Sequence, residues 1–385
     1  MRVTPPFPPM RIVARRYLCA VLALVAPPFA SRAQTSGHVN EHAPRSDNLL
    51  RDGLDSAVHQ ATVDVLAGSR AVGLSIGMIS ADGSVRSYGY GSTSLERAAL
   101  PTPSTRYAIA SITKTFTATL LAQAAVEGRL RLDDDVRRYI PGDFPNLAFR
   151  GQPIRISHLI THLSGLPRSF PDSAIPASAV DRARFFRQLH RVALDTIPGS
   201  RLSYSNSAAQ LAGFILERVY GQPLATLISA RITRPLKMSD TKIALTRSER
   251  AQMARGYDSA GVAVDASRFV SLQAAGALTS SVGDMVRYIR WHAADRDSAV
   301  RLTHLPTLTM GNYSEGLNWQ MMTVDGRRTI WQDGGLPGYT SLVAFSPELH
   351  VGVVILSTGR DYTSGLSMLA TRILTALDSR AVPLP

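Results

Sequence analysis

Apolar residues in the first third of the chain recur at helical spacing in one stretch and at strand spacing in the next. Leu54, Val58 and Val65 belong to a run that places an apolar residue every three to four positions, which predicts a helix with one buried face. Residues 72–78 alternate as in a strand, and the turn sequence at 81–84 leads into a second strand at 85–91. A long apolar run after Ser111 then predicts a helix that ends near Gly128.

The rest of the chain divides into a helical middle and a C-terminal part rich in strands. Residues 130–272 have mainly helical spacing interrupted by Pro and Gly, and 170–180 have the least pattern and are expected to form a surface loop. The elements predicted with the clearest periodicity are helices at 208–220, 285–292 and 365–377 and strands at 316–323, 328–332, 341–345 and 351–357.

Strands at both ends of the chain and helices between them predict an α+β fold. One antiparallel sheet would be built from both termini and flanked by helices, with an all-helical subdomain inserted. We expect a single domain over 49–380, in which 49–129 and 276–380 form the sheet region and 130–275 form the helical region.

The first 33 residues have the pattern of an export signal. Arg11, Arg15 and Arg16 precede an apolar stretch at 17–30, and Ser31-Arg32-Ala33 offers a small-x-small cleavage site. The stretch is short and contains two prolines, which argues against a membrane span. We therefore expect a cleaved signal peptide at 1–33, a polar linker at 34–48, and a periplasmic or secreted mature chain without a membrane span.

Composition and charge exclude several kinds of partner. The one cysteine, Cys19, lies in the predicted signal, so the mature chain would have no thiol for a disulfide, a metal or covalent catalysis. The net charge of +13 falls to +8 without the signal, and the remaining arginines are scattered among acids, which argues against a nucleic-acid partner. His158 and His162 are four residues apart, but H-E-x-x-H and a third ligand are lacking, so no metal site is predicted.

Ser111 and Lys114 are the first candidates for chemistry. They are three residues apart, so they share one face of the predicted helix and can touch. In the first helical turn, free backbone N–H groups and the helix dipole favour a negatively charged oxygen. Burial lowers the pKa of a lysine and makes it a base, whereas arginine cannot give up its proton, and this chain has 3 lysines against 39 arginines. We interpret the pair as a nucleophile and its activating amine.

Tyr204 and Asn206 form a second candidate group. In an extended segment alternate side chains point the same way, so these two would project together, with Ser205 opposite. A phenol beside a lysine can pass protons between a nucleophile and a leaving group, and an asparagine amide can hold a lysine and a substrate carbonyl at once. The alternative interpretation makes Tyr204 a core aromatic residue and Asn206 the N-cap of the next helix.

The glycine-rich sequence at 331–339 is the third candidate group. Glycines such as Gly334 and Gly335 at the end of a strand let another backbone approach closely and leave N–H groups free to bind an oxyanion. An ordinary Gly/Pro turn would have the same composition. This sequence therefore indicates an active site only in combination with the other two groups.

In this order and spacing, the three groups resemble the serine β-lactamase and penicillin-binding-protein superfamily, whose nucleophile motif is S-x-x-K. Tyr204-Ser205-Asn206 is similar to the Tyr-x-Asn motif of its class C branch, which includes related D-peptidases and esterases. Residues 156–167, 198–213 and 234–238 are also similar to signatures of that branch. The resemblance extends over roughly residues 70 to 360.

The resemblance implies an exported serine hydrolase that forms an acyl-enzyme and needs no cofactor. Ser111 would be the acylated nucleophile and Tyr204 the general acid/base, while Lys114 would either accept the first proton or lower the pKa of Tyr204. The oxyanion hole would be the backbone N–H groups of Ser111 and Gly335. The substrate would be an ester, an amide, a β-lactam or a peptide derived from peptidoglycan, and the residues implied to bind it are Asn206, Gln332, Asp333, Gly334 and Gly335.

The third group departs from the family pattern. The family usually has Lys or His, then Thr or Ser, then Gly, where this chain has Gln332, Asp333 and Gly334. Loss of the charged contact to the carboxylate of a β-lactam costs about 1–2 kcal/mol of binding. This weakens the β-lactamase interpretation relative to ester or peptide hydrolysis, and we hypothesise that Asp333 disfavours anionic substrates and favours neutral or cationic ones.

Three alternatives stay open at the level of the sequence. The first is a class C-type β-lactamase, and the second is a D-alanyl-D-alanine carboxypeptidase or D-aminopeptidase. The third is a non-catalytic homologue that binds cell-wall peptides. Loss of Ser111, Lys114 or Tyr204 would mark that homologue, and this chain has all three.

Overall fold

A computed structural model describes residues 44–96, 98–170, 182–258, 260–264, 273–359 and 363–385. The predicted signal peptide at 1–33 lies outside these residues, as do most of the predicted linker and nearly all of the predicted surface loop at 170–180. All interpretations of those segments therefore rest on the sequence.

The main sheet contains strands from both ends of the chain. The strands are β1 (Gly73–Ile79), β2 (Val85–Gly91), β3 (Tyr107–Ala108), β4 (Ala148–Phe149), β5 (Gln152–Pro153), β6 (Thr279–Ser280), β7 (Leu308–Met310), β8 (Tyr313–Glu315), β9 (Gln320–Val324), β10 (Arg327–Leu336), β11 (Tyr339–Ser346) and β12 (Val351–Ser357). Eight of them form one sheet in the order β2-β1-β12-β11-β10-β9-β8-β7, with antiparallel pairing. The predicted α+β fold, with a sheet built from both termini, is confirmed.

Helices cover both faces of this sheet and form most of the middle of the chain. They are α1 (Gly53–Ala67), α2 (Thr113–Val126), α3 (Ile156–Ile160), α4 (Arg182–His190), α5 (Asn206–Tyr220), α6 (Leu224–Ile228), α7 (Arg247–Ala251), α8 (Gln273–Gly276), α9 (Val282–Ala293), α10 (Ser298–Thr303) and α11 (Thr363–Leu377). The helical region is not all-helical as predicted, because the two-residue strands β4 and β5 form a hairpin within it.

Two apolar cores lie on opposite faces of the sheet. Alternate residues of β12 enter each core: Ile355 packs on the face covered by α1 and α11, and Leu356 packs on the face covered by α2 and α9. Because both faces are buried, the strand has an unbroken apolar sequence instead of an alternating one. Phe116 and Leu120 of α2 pack in the same core as Leu356. This packing places the start of α2 beside β10.

Three boundaries differ from the prediction because pairing between distant segments sets them. The strand predicted at 316–323 begins only at Gln320, since residues 316–319 form a turn in which Asn318 has a φ of 56°. The strand predicted at 328–332 continues to Leu336, so Gly334 and Gly335 lie inside it instead of after it. The end of the predicted linker is attached to the sheet, because Ser46 bridges to Tyr90 and the Asp47 carboxylate accepts a 2.7 Å hydrogen bond from the backbone N–H of Gly89.

Candidate active site

Ser111 lies at the entrance to the buried helix α2. It is the middle residue of a short 3₁₀ turn, Ala110–Ile112, and the α-helix begins at Thr113, slightly later than predicted. Ala110 has a φ of 47°, in the left-handed region, and this unusual backbone turns the chain sharply before the helix. Ser111 is half-buried, whereas Lys114, one turn further, is completely buried.

Ser111, Lys114 and Tyr204 come together although 93 residues separate the first and the last. Ser111 Oγ lies 2.6 Å from Tyr204 Oη and 3.1 Å from Lys114 Nζ. Lys114 Nζ also donates a 2.7 Å hydrogen bond to the carbonyl oxygen of Ala275, and it lies 4.7 Å from the centre of the Tyr204 ring. One hydroxyl therefore has both an amine and a phenol within hydrogen-bond distance.

Burial gives the amine and the phenol different protonation. Burial lowers the pKa of Lys114 to about 7; the positive charge of Arg168 assists this shift, and the negative charge of Asp333 opposes it. Burial also raises the pKa of Tyr204, although its hydrogen bond with Ser111 opposes the shift. Near neutral pH a substantial fraction of the lysine is thus an uncharged base, while the tyrosine keeps its proton.

Two residues that the sequence did not assign to chemistry pack against Tyr204. The His162 ring lies 4.4 Å from the Tyr204 ring, and its Nδ1 accepts a hydrogen bond from the backbone N–H of Ser205 at 3.4 Å. Burial lowers the pKa of His162 to about 3, so this ring is neutral. Arg168 Cζ lies 4.9 Å from the centre of the Tyr204 ring, in a cation–π contact.

The Asn206 side chain, within the described residues, makes no hydrogen bond to the other predicted site residues. It is the first residue of α5, and Ser205, not Asn206, caps this helix by accepting a hydrogen bond from the backbone N–H of Ala208. The Asn206 amide donates to Ser169 Oγ at 3.3 Å and, among the described residues, has no hydrogen bond to Lys114. The alternative role of Asn206 as an N-cap was wrong, because Ser205 points to the helix end while also bonding Pro167.

Gly334 brings β10 against the turn that holds Ser111. A Cβ at this position would lie 2.6 Å from the carbonyl oxygen of Ile109 and 2.8 Å from the backbone nitrogen of Ser111, closer than any side chain allows. A glycine is therefore required here for close approach of two backbones. Gly335, by contrast, has no atom within 4 Å of such a Cβ and borders the open cavity.

A cavity of about 660 Å³ opens above Ser111. Besides Ser111, Tyr204, His162 and Arg168, its lining includes the predicted substrate residues Gln332, Asp333, Gly334 and Gly335. It also includes six residues that the sequence did not single out, namely Leu202, Tyr313, Glu315, Asn318, Trp319 and Gln320. Asn206 is not part of this lining.

The residues contributed by β8 and β9 belong to a connected polar network. Gln320 Nε2 donates to Gln332 Oε1 at 3.0 Å and lies 3.5 Å from an Asp333 oxygen, while Tyr313 Oη donates to Glu315 Oε1 at 2.6 Å. Burial raises the pKa of both Asp333 and Glu315. No local motif in the sequence marks the cavity residues of β8 and β9. They reach the cavity because β9 pairs with β10, the glycine-rich strand, with Gln320 opposite Trp331.

The two histidines considered as metal ligands have other contacts. His158 Nδ1 accepts a 3.2 Å hydrogen bond from the backbone N–H of Arg155, and His162 packs on Tyr204. Among the described residues, no group of three or more His, Cys, Asp or Glu side chains could hold a metal ion. Within the same part of the chain, no helix has the length and apolar character needed to cross a bilayer.

Comparison with known proteins finds similarity to one family, the beta-lactamases, along most of the chain. The beta-lactamase family model matches residues 58–378. A beta-lactamase of Pseudomonas fluorescens is 26% identical over 363 residues, covering 83% of this chain and 98% of that protein. The D-alanyl-D-alanine-carboxypeptidase/endopeptidase AmpH of Escherichia coli K12 is 27% identical over 338 residues, covering 80% and 86% respectively.

Solved structures give the same result for the fold. A class C beta-lactamase has a TM-score of 0.77 at 20% identity, with 87% of this chain and 99% of that one covered. The beta-lactamase/D-alanine carboxypeptidase of Yersinia pestis, complexed with citrate, has a TM-score of 0.74 at 26% identity, with 86% and 99% covered. Since the family model covers most of the chain, this protein belongs to the beta-lactamase family and is a serine hydrolase.

Proposed function

We propose that Ser111 attacks an ester, amide or β-lactam carbonyl and forms an acyl-enzyme that water then hydrolyses. The observation that carries this proposal is the position of Ser111 Oγ, 3.1 Å from Lys114 Nζ and 2.6 Å from Tyr204 Oη. The lowered pKa of Lys114, about 7, supports Lys114 as the first base, and the raised pKa of Tyr204 supports a phenol that donates.

The acylation step uses both neighbours of the nucleophile. The Ser111 hydroxyl proton passes to neutral Lys114 as Oγ bonds to the carbonyl carbon. The backbone N–H groups of Ser111 and Gly335 stabilise the resulting oxyanion. When the bond to the leaving group breaks, Tyr204 gives its proton to that group, and an ammonium at Lys114 then faces a phenolate at Tyr204.

Deacylation returns both protons. The Tyr204 phenolate takes a proton from water, and the hydroxide attacks the acyl carbon. When the acyl bond to Ser111 breaks, Oγ regains a proton from the Lys114 ammonium, and the carboxylic acid product leaves. The cycle is balanced, and every proton moves between groups that border Ser111.

Among possible substrates, esters and peptides fit this site better than β-lactams with a carboxylate. Gln332 is neutral and Asp333 is acidic, so the strand beside Ser111 offers no cation to a substrate carboxylate. The N-terminal signal pattern supports export and cleavage after Ala33, and N-terminal sequencing of the protein recovered from the periplasm or medium tests this part of the proposal.

The decisive experiment is covalent labelling. A fluorophosphonate probe should add one phosphonyl group to the intact protein, with loss of fluoride, and peptide mapping should place it on Ser111. The Ser111→Ala variant should stay unlabelled while it keeps the melting temperature of the wild type to within a few degrees. A folded wild-type protein that no acylating or phosphonylating probe modifies would contradict the proposal.

A further inference from the structure

The part of the cavity formed by the sheet carries two carboxyl groups. Asp333 is on β10 and Glu315 is on β8, two strands away in the same sheet, and both line the cavity that contains Ser111. Glu315 accepts a hydrogen bond from Tyr313, and Asp333 has a 3.5 Å contact from Gln320 and a hydrogen bond from its own backbone N–H. Neither carboxyl group has an ion pair within the part of the chain that the structure describes.

Glu315 differs in this respect from the other buried acidic residues. Four acidic residues are buried within the described ranges: Asp55, Asp134, Asp284 and Glu315. Each of the three aspartates pairs with at least one arginine at 3.2 Å or less, in a chain that has 39 arginines to offer. Burying a carboxylate without a counter-charge is costly, so a missing partner at an active site suggests that a ligand supplies the charge.

A neutral acceptor in the same cavity gives a second, independent indication. Asn318 is only 6% exposed, and its amide oxygen has no hydrogen-bond partner among the described residues. Asn318 borders the same cavity as Glu315 and Asp333. A primary ammonium group has three N–H donors, so it can donate one hydrogen bond to each of these three side chains.

Asp333 links this set of acceptors to the reacting groups. Its charge acts on the pKa values of Lys114 and Tyr204 as well as on that of Tyr313, which bonds Glu315. The cation that borders the cavity, Arg168, is instead placed over the ring of Tyr204. The acidic groups of the cavity, Asp333 and Glu315, therefore lie on the sheet, and the cation Arg168 lies beside Tyr204.

We propose that Asp333 and Glu315, together with the amide oxygen of Asn318, bind a primary ammonium group of the substrate close to the bond that Ser111 cleaves. This inference rests on the proposed acyl-enzyme function and gives it a substrate class, namely amino-acid esters, amides and short peptides with a free amine near the scissile carbonyl. Tyr313 holds Glu315 in place and does not itself touch the substrate.

Matched substrates test the charge preference. Three alanine p-nitroanilides, each as the D and L form, differ only at the amino group, which is free and cationic, acetylated and neutral, or succinylated and anionic. For an amine on the other side of the bond, the N-acetyl-alanine amides of ethylenediamine and propylamine form a second pair, followed by mass spectrometry. In at least one series, kcat/KM should be about 10- to 100-fold higher for the cationic member than for the neutral one.

Variants assign this preference to the two carboxyl groups. Asp333→Asn and Glu315→Gln should each reduce the cationic-to-neutral ratio of kcat/KM about tenfold, and the ratio is the readout because Asp333 also acts on the pKa of Lys114. Glu348→Gln is the matched control, because Glu348 lies in the turn after β11, bonded to Arg328, and this variant should keep the wild-type ratio. An unchanged ratio in both cavity variants would overturn the proposal.

Inhibition of the wild-type protein by small ions tests the ammonium site without variants, so the result does not depend on how a variant folds. Propylammonium should compete with the neutral substrate, and propionate at the same concentration should not. Equal inhibition by the two ions, or no cationic preference in either substrate series, overturns this inference. If Ser111 is nevertheless labelled by the fluorophosphonate, the acyl-enzyme function stands and only the ammonium site is lost; absence of labelling would remove both.

Discussion

The two sides of the active-site cavity are built differently. On the helical side, Ser111, Lys114 and Tyr204 are joined by direct contacts of 2.6 and 3.1 Å, and the lysine is fully buried in α2. On the sheet side, Gln332 and Asp333 are joined through Gln320, and Glu315 is joined to Tyr313. The helical side carries the motifs shared with the family, and the sheet side carries the departure from them.

This difference shows which parts of the site can change. The proposed proton transfers require the nucleophile, amine and phenol to touch one another, so we expect replacement of any one of them to lower the rate strongly. The polar groups on the sheet line the cavity without bonding the Ser111 hydroxyl, so under our proposal they can change their charge while the reaction continues. We therefore expect the helical side to set the type of reaction and the sheet side to select the substrate.

The largest effect is expected at Lys114. Lys114→Met removes the base, and kcat/KM should fall by about 10²- to 10⁴-fold. Burial lowers the pKa of this lysine to about 7 from its usual 10.5, so the native state binds fewer protons than the unfolded state between those values. The cost of burying the charge is greatest below pH 7, disappears above 10.5 and is about 4 kcal/mol at pH 7. Because the variant also loses the hydrogen bond to the carbonyl oxygen of Ala275, its net gain in unfolding free energy at pH 7 should be on the order of 2 kcal/mol.

Activity assays and denaturant melts at several pH values check both parts of this prediction. Lys242→Met is the matched control, since Lys242 is partly exposed and paired with Glu249, and it should change neither activity nor the pH dependence of stability above pH 7, where Glu249 is ionised in both states. A Lys114→Met protein that keeps its activity would show that another group takes the proton from Ser111.

The next effect concerns the contact between the two sides. Gly334→Ala introduces a methyl group 2.8 Å from the backbone nitrogen of Ser111 and must push β10 away from the nucleophile. A displacement of about 1 Å at a reacting group costs about 10²-fold in rate. Gly335→Ala adds the same methyl group one residue along, where space is free, and should cost at most a few-fold. Equal losses in the two variants would mean that close packing at Gly334 does not position Ser111.

A smaller effect is expected at Asp333. The Asp333→Thr variant restores the hydroxyl usual in the family and removes a negative charge from the sheet side. The ratio of kcat/KM between anionic and neutral acyl substrates should rise about tenfold, because the repulsion of a carboxylate is relieved. If the ratio does not change, Asp333 does not select substrates by charge.

The smallest effect is a shift of the pH profile. Activity should fall as the pH drops below about 7, because Lys114 becomes protonated. The charge of Arg168 opposes this protonation, so in Arg168→Met the acidic limb of kcat/KM should move to higher pH by less than about one unit. Arg234→Met, on an exposed residue that lines a different pocket, should leave the limb in place, and movement in both variants or neither would contradict this role.

Local patterns were sufficient for the longer elements of this fold and for placing Ser111 one turn from Lys114. Ser111 and Lys114 are one helical turn apart in the sequence, and the strands that are buried on one or both faces have sequences that reveal it. Long periodic segments such as α5 and β12 lie where the spacing predicted them, because burial of a face imposes the period.

Other features depend on which distant segments meet, and no local pattern records that. The choice of Ser205 over Asn206 as the helix cap follows from the chain direction at Pro167, and the pairing of residues 46–47 with β2 follows from the closure of the sheet edge. Glu315 and Tyr313 enter the cavity only because β8, β9 and β10 are neighbours in the sheet. Spacing along the chain thus specifies which residues share a face, whereas long-range pairing specifies which faces form one site.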